Sequence, residues 1–83
     1  METLELNILF FGALKAHFGS SMNLSVNKGI NLFEVLKLLL EKRPDASNIL
    51  ASCQLAVNSN LVETEYIISE SCELAILPPF SGG

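Results

Sequence analysis

Eighty-three residues suffice for one domain and not for two, and a chain of this size removes only about 60–65% of its unfolded surface from water on folding. Apolar residues make up 49% of it, charged residues 17%, and the formal net charge is −4. Part of that apolar surface is therefore expected to stay outside the core and meet a partner, while the negative balance argues against nucleic acid, which needs a basic footprint, and suits a basic protein partner.

In chain order, Leu4, Leu6, Ile8 and Phe10 alternate with Glu5, Asn7, Leu9 and Phe11, a period of two that predicts a strand over Leu4 to Phe11. If the even-numbered residues face a core, Leu9 and Phe11 lie on the opposite side, where their apolar area needs another explanation. Gly12 breaks the strand, a short helical turn is expected over Ala13 to Phe18, and Gly19-Ser20-Ser21 leads into a second strand over Met22 to Val26. Asn31 can cap a helix, with Glu34 three residues on completing a capping box. Leu32, Val35, Leu36, Leu39 and Leu40 then make one apolar stripe, with Glu34, Lys37 and Glu41 opposite. Lys42 and Arg43 favour the C-terminal end of that helix and Pro44 stops it, with a further helical turn expected over Asp45 to Ala51. Leu55 to Val57 is a short strand, Asn58-Ser59-Asn60 a turn, Leu61-Val62 its continuation, and Glu70-Ser71 turns into a last strand over Glu73 to Leu77.

Two strands, a helix and two or three more strands bury their stripes most economically as one mixed sheet on one helix, an α+β domain. The first and last strands are the most apolar and are expected side by side at the sheet centre. That is the ubiquitin-like β-grasp roll, filling residues 1–83 as a single domain with 78–83 as an extended tail.

The tail is the most specific element. Pro78 and Pro79 fix φ near −65° and favour an extended path, so Leu77-Pro78-Pro79-Phe80-Ser81 holds the last two glycines away from the domain. Gly82 and Gly83 lack side chains and can enter a passage only as wide as a backbone, presenting a carboxylate deep within another protein. Prolines lower the cost of ordering such a tail, because they are already restricted when free.

Little else carries chemistry. The apolar runs Ile8 to Leu14 and Leu74 to Phe80 are too short to cross a bilayer. The acids in Met1-Glu2-Thr3-Leu4-Glu5 stand where a secretory or mitochondrial signal has bases, so a cytoplasmic location without a membrane is expected. Cys53 and Cys72 would then be reduced, and with only His17 beside them they form no zinc or redox set. Gly12 and Gly19 do not make a nucleotide fingerprint. His17 next to Phe18 reads as a surface or packing residue, and Lys15, Lys28, Lys37, Lys42 and Arg43 as solvated charges.

"ILFFGALKAHFG", the helix "NLFEVLKLLLEKRP" and "LAVNSNLV" leading to "CELAILPPFSGG" resemble the small, sulfur-carrier subunit of molybdopterin synthase, the MoaD family, along nearly the whole chain. One departure is Ser71-Cys72 before the final strand, where this family often has Gly-Asp. The resemblance implies that an activating enzyme similar to the ubiquitin-activating enzymes uses ATP to join AMP to the carboxylate of Gly83. Sulfur then replaces AMP, and the thiocarboxylate (1-thioglycine) donates its sulfur to cyclic pyranopterin monophosphate inside the large synthase subunit. It implies no permanently bound cofactor and no metal, catalytic machinery in the partners, and a heterotetramer of two small and two large subunits. Phe11, Leu61 and Leu77 are the candidates for the docking patch, with Pro78, Pro79, Phe80, Ser81 and Gly82 entering the partner and Gly83 carrying the reacting group. Three other readings remain open: the sulfur carrier of thiamine synthesis, whose tails generally lack Pro-Pro; a ubiquitin-like modifier forming isopeptide bonds through Gly83; and an adaptor for which the tail is dispensable.

Overall fold

A computed structural model describes residues 2–79. Its elements are β1 (Thr3–Phe10), a 3-10 turn (Gly12–Leu14), α1 (Lys15–Phe18), β2 (Ser21–Asn27), α2 (Leu32–Lys42), a second 3-10 turn (Pro44–Ala46), α3 (Ser47–Ala51), β3 (Gln54–Val57), β4 (Asn60–Val62) and β5 (Cys72–Leu77). The strands form one five-stranded sheet in the order β2-β1-β5-β3-β4. The first and last strands lie side by side and parallel, with Leu6 opposite Cys72 and Phe10 opposite Ile76. All other pairings are antiparallel. This is the expected α+β β-grasp arrangement.

Alternation along β1 and β5 decides which side chains reach the core. Leu4, Leu6, Ile8 and Phe10 from β1 and Leu74 and Ile76 from β5 are buried, together with Leu32, Val35 and Leu39 from α2. Phe10 also stacks on Phe18 of α1, ring centroids 4.7 Å apart. Among the described residues no polar or charged side chain is buried, so packing is almost wholly apolar and nondirectional.

Both halves of the capping box form at α2. The Glu34 N–H donates to Asn31 Oδ1 at 2.9 Å, and the Asn31 N–H donates to Glu34 Oε1 at 3.4 Å. Two further donors of the first turn, which no helix can satisfy internally, are taken by the segment between β4 and β5. The Leu32 N–H donates to the Tyr66 carbonyl at 3.1 Å and the Phe33 N–H to that of Thr64 at 3.0 Å. A reciprocal pair, Ile68 N–H to Ile30 O and Gly29 N–H to Ile68 O, both 2.8 Å, pins Ile68 into the core.

Several boundaries differ from the sequence reading. β1 ends at Phe10, so Phe11 lies just past the strand; Ser21 and Asn27 extend β2; and Cys72 opens β5. The β3–β4 hairpin turns on Asn58 and Ser59 alone, at φ +48° and +73°. Positive φ at both central residues suits the right-handed twist of a two-residue hairpin, and asparagine tolerates it better than most residues.

Candidate functional site

The face of the sheet away from α2 divides into two ends. At one, the side chains are polar and bonded to each other. Ser25 Oγ donates to Glu5 Oε2, and the Glu5 N–H donates to Ser71 Oγ at 3.0 Å. Ser71 thus ties the turn before β5 to β1. Nearby, Asn58 Oδ1 accepts from the Glu73 N–H at 3.0 Å, and the Asn58 N–H donates to the Glu73 carbonyl at 2.9 Å.

The other end is apolar. Register places Leu9, Ala75, Ala56 and Leu61 in one row across β1, β5, β3 and β4. The two alanines leave a shallow saddle between the larger leucines. Leu77, opposite Gln54 one row further on, lies on the same face, as does Phe11 if the alternation of β1 continues one residue. Leu61 is 66% exposed and Phe11 40%; Leu77 is half-buried. Leu61 and Gln54 also border a cleft of about 290 Å³ whose walls include Cys53 and Thr64. Leu61 and Leu77 therefore share one face with the half-buried Leu9 and Ala75 and the buried Ala56, and Phe11 stands exposed just past the end of β1. The alanines escape a reading that looks for large exposed side chains, although the β3 and β5 alternation could have revealed them.

The tail leaves from this end. Pro78 is half-buried and Pro79 exposed, while Phe80, Ser81, Gly82 and Gly83 lie outside the described residues. Gly12 takes φ +57°, and a Cβ built on it would lie 3.5 Å from Pro78 Cγ. The proline ring thus rests on the glycine backbone, and the left-handed turn after β1 forms the seat on which the tail begins. From the sequence, Gly12 is legible as a strand breaker but not as this seat. A glycine directly after a central strand, facing a proline directly after its parallel neighbour, is the signal that could have found it.

Outside this region the titratable groups are scattered. His17 Nδ1 lies 3.4 Å from Asp45 Oδ2, a contact between a half-buried ring and an exposed carboxylate that joins α1 to the turn before α3. Lys28 approaches Glu2 at 3.5 Å, both side chains remaining solvated, and Lys37 stands 6.0 Å from the centre of the Phe33 ring. Partial burial raises the Cys53 thiol above its ordinary value, and burial followed by repulsion from Glu70 raises Cys72. Both are poorer nucleophiles than a free cysteine at neutral pH. Among the described residues no group of three or more His, Cys, Asp or Glu side chains could hold a metal ion, and no helix is long and apolar enough to cross a membrane.

Comparison with solved structures gives the same fold at low sequence identity. SAMP1 from Haloferax volcanii matches with TM-score 0.79 at 20% identity, over 95% of this chain and 99% of its own. A putative molybdopterin converting factor, subunit 1, from Pyrococcus furiosus matches with TM-score 0.81 at 12% identity, over 92% and 98%. Within a complex of subunits 1 and 2 of the molybdopterin-converting factor from Helicobacter pylori, the matching chain gives TM-score 0.63 at 23% identity, over 96% and 100%. No curated protein matches the sequence. The ThiS family model, however, matches residues 8–83, from the middle of β1 through the Gly-Gly tail, and the chain accordingly belongs to the ThiS family, the ThiS/MoaD-type sulfur carriers of ubiquitin-like β-grasp fold.

Proposed function

We propose that this chain is the sulfur-carrying subunit of a molybdopterin synthase and that the Gly83 carboxylate carries the sulfur. The observation that supports this most directly is the family match running through the Gly-Gly tail, on a fold whose tail starts from a seated proline beside an uncovered apolar face. A carboxylate is a poor electrophile. An activating enzyme joins it to AMP from ATP with loss of pyrophosphate, and hydrosulfide from a sulfur donor displaces AMP to leave a thiocarboxylate. Its ionised sulfur is a good nucleophile that stays tethered and shielded from solvent within the large subunit. There it is delivered to cyclic pyranopterin monophosphate, and hydrolysis of the acyl group returns the carboxylate for another round. Leu61, Phe11 and Leu77 dock on the large subunit, and Pro78 to Gly82 thread into it. No permanently bound cofactor is needed.

Intact mass of the protein from its own cells tests the carrier chemistry. Replacement of one oxygen by sulfur at Gly83 is expected, and an unaltered carboxylate under conditions of active cofactor synthesis would count against it. Rescue of molybdopterin formation in cells lacking their own small subunit, without rescue of thiamine-requiring cells, separates the two sulfur-carrier pathways. The likeness to SAMP1, named in a second solved structure as small archaeal modifier protein 1, favours a modifier as the second reading. A ladder of isopeptide-linked conjugates through Gly83 would support it.

A further inference from the structure

β2 is an outer strand of the sheet, and its seven residues, Ser21-Met22-Asn23-Leu24-Ser25-Val26-Asn27, contain no charge and no proline. Edge strands normally carry such features to prevent pairing with another chain. The bonds flanking the β1–β2 ladder show which amides face outward. The Phe10 N–H donates to Ser20 O at 3.0 Å and the Lys28 N–H to Glu2 O at 2.9 Å. Since bonding alternates along an antiparallel pair, Met22, Leu24 and Val26 turn their backbone groups toward β1, and Ser21, Asn23 and Ser25 turn theirs away. The Asn27 carbonyl already accepts from the Ile30 N–H at 3.2 Å, which ends the open edge.

We propose that this edge pairs with the same edge of a second copy of the chain, antiparallel and centred on Asn23. That register is self-complementary. Asn23 faces its own counterpart, Ser21 faces Ser25 of the other copy, and about six backbone hydrogen bonds close between them. On the helix side Met22 meets Leu24 of the other copy, covering two side chains that β1 and α2 leave only partly buried. On the other face β2 offers only serine and asparagine, and the nearest carboxylate, Glu5 on β1, is held back from the edge by the hydrogen bond from Ser25 Oγ, so two molecules that each carry −4 meet along strands that are themselves uncharged. A closed twofold contact of this kind is isologous and stops at two. The buried strip is small beside a standard interface, so the dimer is weak and reversible. β2 is separated from β5 by β1, so both tails and both apolar saddles stay accessible.

Because Asn23 sits on the twofold axis, one substitution places a charge opposite itself. Sedimentation equilibrium of the full chain from roughly 10 μM to 1 mM is expected to show reversible dimerisation. Asn23→Asp and Asn23→Lys should each weaken it by about tenfold or more, with thermal unfolding showing that both variants remain folded. An equimolar mixture of the two should restore dimers at moderate salt and lose them at high salt. A wild-type protein that stays monomeric throughout, or a dimer that both substitutions leave unchanged, would overturn the proposal.

Discussion

The two faces of the sheet are built from alternate residues of the same strands, yet they are packed in opposite ways. On the α2 side Leu6, Ile8, Leu74 and Ile76 are fully buried. On the other side, one residue away in the chain or one strand across, Leu9 and Ala75 are only half-buried and Leu61 is exposed. A strand of period two can thus hold a domain together with its even positions and recognise a partner with its odd ones, provided the register never slips. Mutations on the two faces should separate cleanly into losses of stability and losses of binding.

The largest effect belongs to the covered face. Ile8→Ala should cost about 2–5 kcal/mol of stability through lost burial and a residual cavity, read as a drop in unfolding midpoint with no specific effect on affinity once corrected for the folded fraction. Gly82→Val should do the reverse. Stability should hold, since terminal residues contribute little, while molybdopterin formation from thiocarboxylated protein falls on the order of 10²-fold as β-branched bulk misplaces the reacting group. Near-normal synthesis by that variant in a reconstituted assay would refute the narrow-passage account of the terminal glycines.

On the open face, Leu61→Ala should weaken the large-subunit complex by about 1–3 kcal/mol while changing stability by less than about 0.5 kcal/mol. Phe11→Ala, at 40% exposure, should lose affinity in the same range with a small stability cost as well. Calorimetric titration of both folded variants checks this, and unchanged affinity in both would remove the saddle from the docking surface. The smallest effect sharpens the boundary between the faces. Gly12→Ala forces a Cβ into left-handed backbone at φ +57° and should cost about 1–2 kcal/mol, whereas Gly12→Asn should cost less. The added Cβ itself would meet Pro78 at ordinary contact distance, so equal losses in the two variants would point to the proline seat and not to backbone strain.

How much of this was readable from the chain depends on the range of the forces involved. The alternation of β1, the capped stripe of α2 and the central pairing of β1 with β5 are local patterns or their direct consequences, and they appear as expected. The segment between β4 and β5 was not legible. Ile67-Ile68 has neither helical nor strand periodicity around it, and its place is set by backbone bonds to Ile30, Leu32 and Phe33, more than 30 residues away in sequence. Ile68 is buried while Ile67 is 53% exposed, a distinction that depends wholly on that remote pairing. At the candidate site, Phe11, Leu61 and Leu77 could be proposed from alternation and the turn before β4. The saddle between them needed the β3–β5 register, and the seat of Pro78 on Gly12 needed the parallel pairing of strands from opposite ends of the chain.

That parallel pairing also governs when the tail can become useful. β5 closes against β1 across nearly the full sequence, with Glu5 and Ser71 bonded at a separation of 66 residues. Contacts of such long range are slow to form, because loop closure must precede any reward. During synthesis, β1 and α2 leave the ribosome with their central neighbour still unmade. The sheet can be completed only after Cys72 to Leu77 have emerged, so the body and the departure point of the tail mature in one step. On the proposed function, an activating enzyme that reads the folded body would meet only carriers whose sheet is already complete.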